Sequence, residues 1–200
     1  MKKLIAVLAV LIFSAAGLHA AVLFEKAAAL KEVFPDAGKI IEKTITISAE
    51  AAVKINASLD TSAAVKEGAV YTLYNGVKAG KDMGTAVFES AKGKWGPVEE
   101  LVLIDSKELK ILNIVVTASS EQRGKPVTTK NFLNQFAGKG KADAITVKKD
   151  ITAISGATIS SRAVATGAKR ALLVVAESSM DTGKGNKNRK MEKNMKRQGQ

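Results

Sequence analysis

The stretch VEELVLIDSKELKILNIVVT, residues 98–117, decides the fold. Two runs of β-branched and aliphatic residues, 98–104 and 111–117, flank a short polar segment that begins with Asp105-Ser106-Lys107-Glu108. Runs of this length and composition are typical of β-strands, and a short polar connection favours an antiparallel hairpin. The sequence therefore predicts an antiparallel sheet built around this hairpin.

Further strand signals lie before the hairpin, at 70–74 and 85–89, and Asn75-Gly76 between them is predicted as a turn. Apolar residues at helical spacing predict two helices before the strands and two after them. Pro35 ends the first helix and Ser48 is the expected N-cap of the second. The predicted helices cover about 24–34, 49–59, 129–136 and 160–175.

This order of elements predicts an α+β fold, in which helices pack on an antiparallel sheet. The chain has 200 residues, of which 46% are apolar and 25% charged, as expected of one folded domain after an N-terminal leader or anchor. The sequence contains no cysteine, which excludes disulfides and cysteine-ligated metal or iron–sulfur sites. The single histidine, His19, lies in the leader, so no metal site or Ser-His-Asp triad is predicted in the domain.

The first 20 residues resemble a targeting segment. Lys2 and Lys3 precede an apolar run at 4–17, and small residues follow near Ala20. This pattern predicts a cleaved signal peptide, and the alternative is a retained membrane anchor. Both place the rest of the chain outside the cytoplasm, in the periplasm or on the outer face of the cytoplasmic membrane.

The last 20 residues, 181–200, are strongly basic. They hold seven Lys or Arg residues against Asp181 and Glu192 and lack apolar periodicity, so they are predicted to be a disordered tail. The tail is either a solvated end or a segment attracted to anionic lipid. Export and the low aromatic content, 4%, argue against a nucleic-acid partner. The predicted organisation is therefore 1–20 leader or anchor, 21–180 domain and 181–200 tail.

The segment TAISGATISS, residues 152–161, places small and hydroxyl residues just before the last predicted helix. Gly156 and Ala157 allow the backbone to come close to a ligand, and the first N–H groups of the helix have no intrahelical acceptors. A phosphate at this end gains those hydrogen bonds and a favourable helix dipole. The alternative is a tight turn after which Ser160 or Ser161 merely caps the helix.

Ser155-Gly156-Ala157-Thr158 and the residues after it resemble the FMN-binding domain family. That family includes the G subunit of the Rnf electron-transport complex and the C subunit of the sodium-pumping NADH:quinone reductase. Similar segments occur in the same order at 29–35, 93–97, 121–124 and 132–136. Two positions depart from the family pattern: Thr152 stands where an aspartate is usual, and Gln122-Arg123 replaces Thr-Pro.

The resemblance implies FMN as cofactor, joined by a phosphoester to Thr158 through a flavin transferase or held without a covalent bond. It implies a cofactor site whose members are Thr158, Ser155, Gly156, Ala157, Ser160, Ser161, Trp95, Gly96, Glu121 and Gly124. The implied function is extracytoplasmic electron transfer, with redox proteins as partners, subunits of an Rnf-like membrane complex among them. Whether the chain is itself an enzyme stays open, because the residues indicate no substrate site of its own. The alternative is a non-redox exported binding module whose small-residue loop binds another phosphate ligand.

Overall fold

The structure, a computed structural model, describes residues 21–121 and 125–198. The predicted leader, 1–20, and Gly124 lie outside the described residues. Within them, six strands form one sheet in the order β1-β6-β5-β4-β3-β2, and every neighbouring pair is antiparallel. The strands are β1 (Ala21–Val22), β2 (Lys39–Thr46), β3 (Val70–Lys78), β4 (Lys81–Lys92), β5 (Pro97–Ile104) and β6 (Ile111–Ser119).

Helices cover both faces of this sheet. The side chains of β5 alternate, so that Val102 and Ile104 enter one core while Leu101 and Leu103 enter the other. The larger core lies beneath α2, α3 and α4, and the smaller one lies beneath α1. The helices are α1 (Lys26–Val33), α2 (Ala49–Asn56), α3 (Lys130–Leu133) and α4 (Thr158–Gln198). The predicted α+β fold is confirmed.

The predicted hairpin at 98–117 is also confirmed, because β5 and β6 pair antiparallel with Val102 opposite Ile114. The predicted turn at Asn75-Gly76 is wrong, since β3 continues through both residues to Lys78. The turn lies instead at Ala79 and Gly80, which both have positive φ, 48° and 78°. Two positive φ values suit a two-residue hairpin of the type I′ kind.

Gly76 is required for packing, and not for the turn that Asn75-Gly76 indicates in the sequence. A Cβ atom at this position would overlap the ring of Phe34, which lies against the strand. A glycine inside a strand often marks such a close approach. The sequence does not predict the strand β2. This strand lies at the sheet edge and is mostly exposed, with Ile41 44% accessible, so its sequence lacks the apolar alternation of a buried face.

The last helix differs most from its prediction. The helix α4 starts at Thr158 and extends to Gln198, whereas the sequence predicts an end near residue 175 and a disordered tail from 181. No proline follows residue 126, and Lys, Arg, Met, Glu and Gln in this segment favour helix even where the apolar face ends. None of the helices in the described ranges has the length and apolar character needed to cross a bilayer.

Candidate functional site

A tight turn directly precedes α4. The carbonyl of Ile154 accepts a hydrogen bond from the N–H of Ala157 at 3.0 Å, which closes a four-residue turn. Gly156 occupies the third position with φ of +76°, a conformation that a type II turn requires and that favours glycine. The predicted tight turn before the last helix is therefore present, while the close approach of a ligand to its backbone stays a prediction.

Ser161 holds this loop from behind. Its side chain is fully buried; its hydroxyl donates to the carbonyl of Ala157 at 2.9 Å and accepts from the N–H of Ile154 at 3.2 Å. Both bonds lie within the loop and first turn of the helix. Ser161 therefore stabilises the turn and does not line the cavity at the helix start.

A cavity of about 410 Å³ opens at the N-terminus of α4. The N–H of Ser161 donates to the carbonyl of Ala157 at 2.9 Å and makes the first bond of the helix, so the N–H groups of Thr158, Ile159 and Ser160 precede the ladder and have no intrahelical acceptor. The Thr158 side chain is half-buried at the cavity, and among the described residues none hydrogen-bonds its hydroxyl. This combination of backbone donors and one available hydroxyl suits a phosphate group.

Glu121 joins the two sides of the cavity. Its carboxylate is only 7% exposed; Oε2 accepts from the Ser160 hydroxyl at 2.5 Å and Oε1 accepts from the N–H of Trp95 at 2.8 Å. Gly93 makes room for it, because a Cβ atom there would lie 2.5 Å from Oε1 of Glu121. Glu121 thus fixes the loop after β4 to the first turn of α4.

Trp95 forms the outer rim of the cavity. Its side chain is 49% exposed, and the ammonium nitrogen of Lys94 lies 5.2 Å from the centre of its ring. An exposed indole beside a cation offers a flat apolar surface with positive charge nearby. Such a surface suits a planar aromatic ligand that becomes negative.

The structure brings together six of the ten predicted site residues. Thr158, Gly156, Ala157, Ser160, Trp95 and Glu121 line the cavity, together with Lys94 and Ile159, which the sequence did not single out. Ser155 is exposed on the turn outside the lining, Ser161 lies behind it, and Gly96 packs against Ser120. Gly124 lies outside the described residues. Lys94 and Ile159 could have been predicted from the sequence only as the chain neighbours of Trp95 and Thr158.

Thr152 stands six residues before Thr158, at the position where the resemblance leads us to expect an aspartate. Its N–H donates to Oε1 of Gln135 at 2.8 Å and its carbonyl accepts from Nε2 of Gln135 at 3.3 Å. Asp150 does not take its place, since its carboxylate accepts from the N–H groups of Ile145 and Thr146. Burial alone would raise the pKa of Asp150, but these donors and the Lys139 ammonium hold that pKa below its ordinary value.

Two buried carboxylates of the sheet contact α4 two to three turns after its start. Glu89 and Glu100 are directly opposite each other on β4 and β5. Arg170 pairs with Glu89 at 2.6 Å, whereas neither oxygen of Glu100 has a hydrogen-bond partner within the described structure. Burial, reinforced by the charge of Glu89, raises the pKa of Glu100 well above its ordinary value. Gly167 leaves space for Glu100, because a Cβ atom there would overlap its Oε1.

Comparison with known proteins finds similarities to this chain in both sequence and fold. Residues 93–173 match the FMN-binding domain family. A curated relative is the G subunit of the proton-translocating ferredoxin:NAD(+) oxidoreductase complex of Clostridium ljungdahlii. The two are 35% identical over 107 residues, which cover 50% of this chain and 57% of that protein. The fold is similar to the crystal structure of Shewanella oneidensis NqrC, with a TM-score of 0.55, 16% identity, and coverage of 76% of this chain and 88% of that one.

Proposed function

We propose that this chain is an electron-transfer flavoprotein that holds FMN in the cavity at the start of α4, because residues 93–173 match the FMN-binding domain family. The observation that carries the proposal is the half-buried Thr158 hydroxyl, without a protein partner in the described structure, beside the free N–H groups of the same helical turn. FMN, when bound, supplies the redox chemistry, and the protein sets its position, access and potential.

The phosphate end of the flavin fits the helix terminus. The N–H groups of Thr158, Ile159 and Ser160 and the helix dipole stabilise a phosphate there by about 0.3–2 kcal/mol, according to how far the site is buried. The Thr158 hydroxyl oxygen would then attack the phosphorus of a flavin pyrophosphate donor brought by a flavin transferase. The P–O bond of the pyrophosphate breaks, a nucleoside monophosphate leaves with the threonine proton, and the peptide gains FMN less one water. Such a tether keeps the effective flavin concentration high where free FMN is scarce.

The ring end fits the opposite wall. Trp95 offers an exposed indole on which the ring would stack, and Lys94 adds a positive charge beside it that would stabilise the negative charge of a reduced flavin. Glu121 contributes indirectly, because it holds the Trp95 loop and Ser160 in register. It is therefore a positioning residue in this proposal.

The relatives suggest where the protein works. The Clostridium relative is named as part of a proton-translocating oxidoreductase complex. We propose that residues 1–20 export or anchor this chain, that 21–180 form the flavin domain on the outer side of the cytoplasmic membrane, and that 181–200 are a basic tail beside it. Its partners are then redox proteins, including subunits of a membrane electron-transport complex of the Rnf type.

Expression with a flavin transferase tests the proposal. Full-length wild-type protein should be yellow, fluoresce in a denaturing gel, and show FMN less water on the peptide that contains Thr158. Thr158→Ala should lose this fluorescence while its free energy of unfolding stays within about 0.5 kcal/mol, as is usual for an accessible polar position. Thr158→Ser keeps a hydroxyl at the same position and should keep measurable attachment.

Each other outcome has a defined meaning. Flavin that copurifies with native wild type but is absent from the denaturing gel would support FMN binding and refute the phosphoester. A colourless folded protein, despite active transferase and excess flavin, would refute the electron-transfer function and favour a module that binds another phosphate ligand. Attachment that persists in Thr158→Ala would place the linkage at another residue.

A further inference from the structure

A second and larger cavity lies beside the first one. It has a volume of about 840 Å³ and is enclosed by the end of β4, the segment 57–63 after α2, the segment 145–149 and the first three turns of α4. Ile159 lines both cavities, so they are neighbours along the first turn of the helix. Nothing in the proposed flavin site makes use of this second cavity, which we call the basic cleft.

The charges around the basic cleft are unbalanced. Arg170 is neutralised by its ion pair with Glu89. Lys169 donates to the carbonyl of Ala144 at 2.9 Å, an uncharged acceptor that does not balance the charge of the lysine. Among the described residues that line the cleft, the cations are Lys92, Lys149, Arg162, Lys169 and Arg170, and Asp60 is the single acid.

Three of these cations are available to a ligand. Lys92, Lys149 and Arg162 are exposed, and within the described structure none of them is ion-paired or hydrogen-bonded through its side chain. They come from β4, from the 145–149 segment and from α4, three parts of the chain that the fold brings to one concavity. Cations that outnumber the acids of one concavity repel one another, and a bound anion relieves that repulsion.

We propose that the basic cleft binds a small anion that carries at least two negative charges, with pyrophosphate and phosphate esters as the chemical class. The concave shape and volume are those of a small-molecule site. Arg162 offers a planar pair of donors that suits two phosphate oxygens, and Lys92 and Lys149 act as point charges. The hydroxyls of Ser58 and Thr166 line the same cleft as further donors. The proposal stands independently of the flavin assignment.

Isothermal titration with sodium pyrophosphate tests this inference at fixed ionic strength. The full chain is titrated both flavin-loaded and flavin-free, so that binding at the helix terminus of Thr158 is separated from binding in the cleft. We expect one pyrophosphate per chain in the flavin-loaded form, and in the flavin-free form the same cleft site plus at most one further site at the vacant helix terminus. Removing two charged donors in the double variant Lys149→Gln/Arg162→Gln should weaken binding about tenfold or more.

The distant control is Lys81→Gln, which removes one positive charge outside the cleft. Lys81 is exposed and begins β4, so it lies roughly 37 Å from Lys92 at 3.4 Å per residue. It should bind pyrophosphate as the wild type does. A second titration, with adenosine monophosphate, distinguishes the two kinds of ligand. Binding of adenosine monophosphate would indicate a nucleotide phosphate as the ligand, and binding of pyrophosphate alone would indicate the inorganic anion. Both results support the cleft.

Three results would overturn the proposal. The first is a double variant that binds pyrophosphate as tightly as the wild type. The second is equal weakening by Lys81→Gln, which would show that only net charge matters. The third is binding confined to the flavin-free form, which would place the anion at the helix terminus instead of in the cleft.

Discussion

Replacing Glu121 by alanine should destabilise the domain and loosen the flavin cavity together. The change removes two hydrogen bonds to a carboxylate, from the Ser160 hydroxyl at 2.5 Å and from the N–H of Trp95 at 2.8 Å. Bonds to charged groups contribute about 1.5–3 kcal/mol each. The Ser160 hydroxyl is buried and loses its acceptor, whereas the exposed Trp95 loop regains water. The expected loss is therefore about 2–4 kcal/mol of unfolding free energy.

Urea unfolding followed by circular dichroism measures this loss. Glu121→Gln keeps the shape and both contacts, since its amide oxygen accepts from Trp95 and its amide nitrogen donates to Ser160, so it should cost about 1 kcal/mol. Glu99→Ala, at an exposed position of β5, is the control and should stay within about 0.5 kcal/mol. Flavin incorporation should fall in Glu121→Ala and persist in Glu121→Gln. A Glu121→Ala variant with wild-type stability would refute the bridging role assigned to this carboxylate.

Further outcomes follow from the polar contacts around α4. Gly167→Ala should lower the free energy of unfolding by about 1–3 kcal/mol, because the new methyl group overlaps Glu100 in a packed interior. In a Glu100→Ala background the same change should raise the free energy of unfolding by up to about 1 kcal/mol through helix propensity. Equal effects in both backgrounds would contradict the contact. Because the pKa of Glu100 is raised in the folded state, the wild type should lose stability as the pH rises from 4.5 through the raised value. Glu100→Gln should lose less stability between pH 5 and pH 8, measured by urea unfolding at both pH values. The pKa of Asp150 is lowered, so Asp150→Asn should cost about 1–3 kcal/mol at pH 7 and progressively less as the pH falls through the native pKa of this group; a cost independent of pH would refute this.

The parts of the fold that sequence reasoning predicted depend on local patterns. The hairpin at 98–117 is visible because its two runs are buried and separated by polar residues, and the Ser48 cap is visible because its hydroxyl bonds the N–H of Ala51, three residues on, at 3.2 Å. The turn at Ser155 and Gly156 belongs to the same class, since its geometry is encoded within four residues. Each of these features is decided by neighbours in the sequence.

The missed parts depend on contacts between distant residues. The role of Gly76 is set by Phe34, 42 positions earlier in the chain, which local spacing does not reveal. The bond between Ser160 and Glu121 spans 39 residues, so the sequence suggested both as flavin contacts but not their contact with each other. The basic cleft likewise assembles cations from three separated segments. Such features need the folded chain.

Three carboxylates of the sheet contact the first four turns of α4, where we propose that the flavin phosphate binds. Glu89, Glu100 and Glu121 come from β4, from β5 and from just after β6, and all are under 10% exposed. They meet α4 at Arg170, Gly167 and Ser160, positions three and seven residues apart and therefore on one face of the helix.

Each of these contacts is polar or steric and so depends on register, unlike the interchangeable apolar contacts of the core. A shift of α4 by one residue would separate all three pairs at once. The same shift would move Thr158 along the helix axis by about 1.5 Å. The three buried acids therefore hold α4 in one register on the sheet, and with it the position of the proposed phosphate site at Thr158.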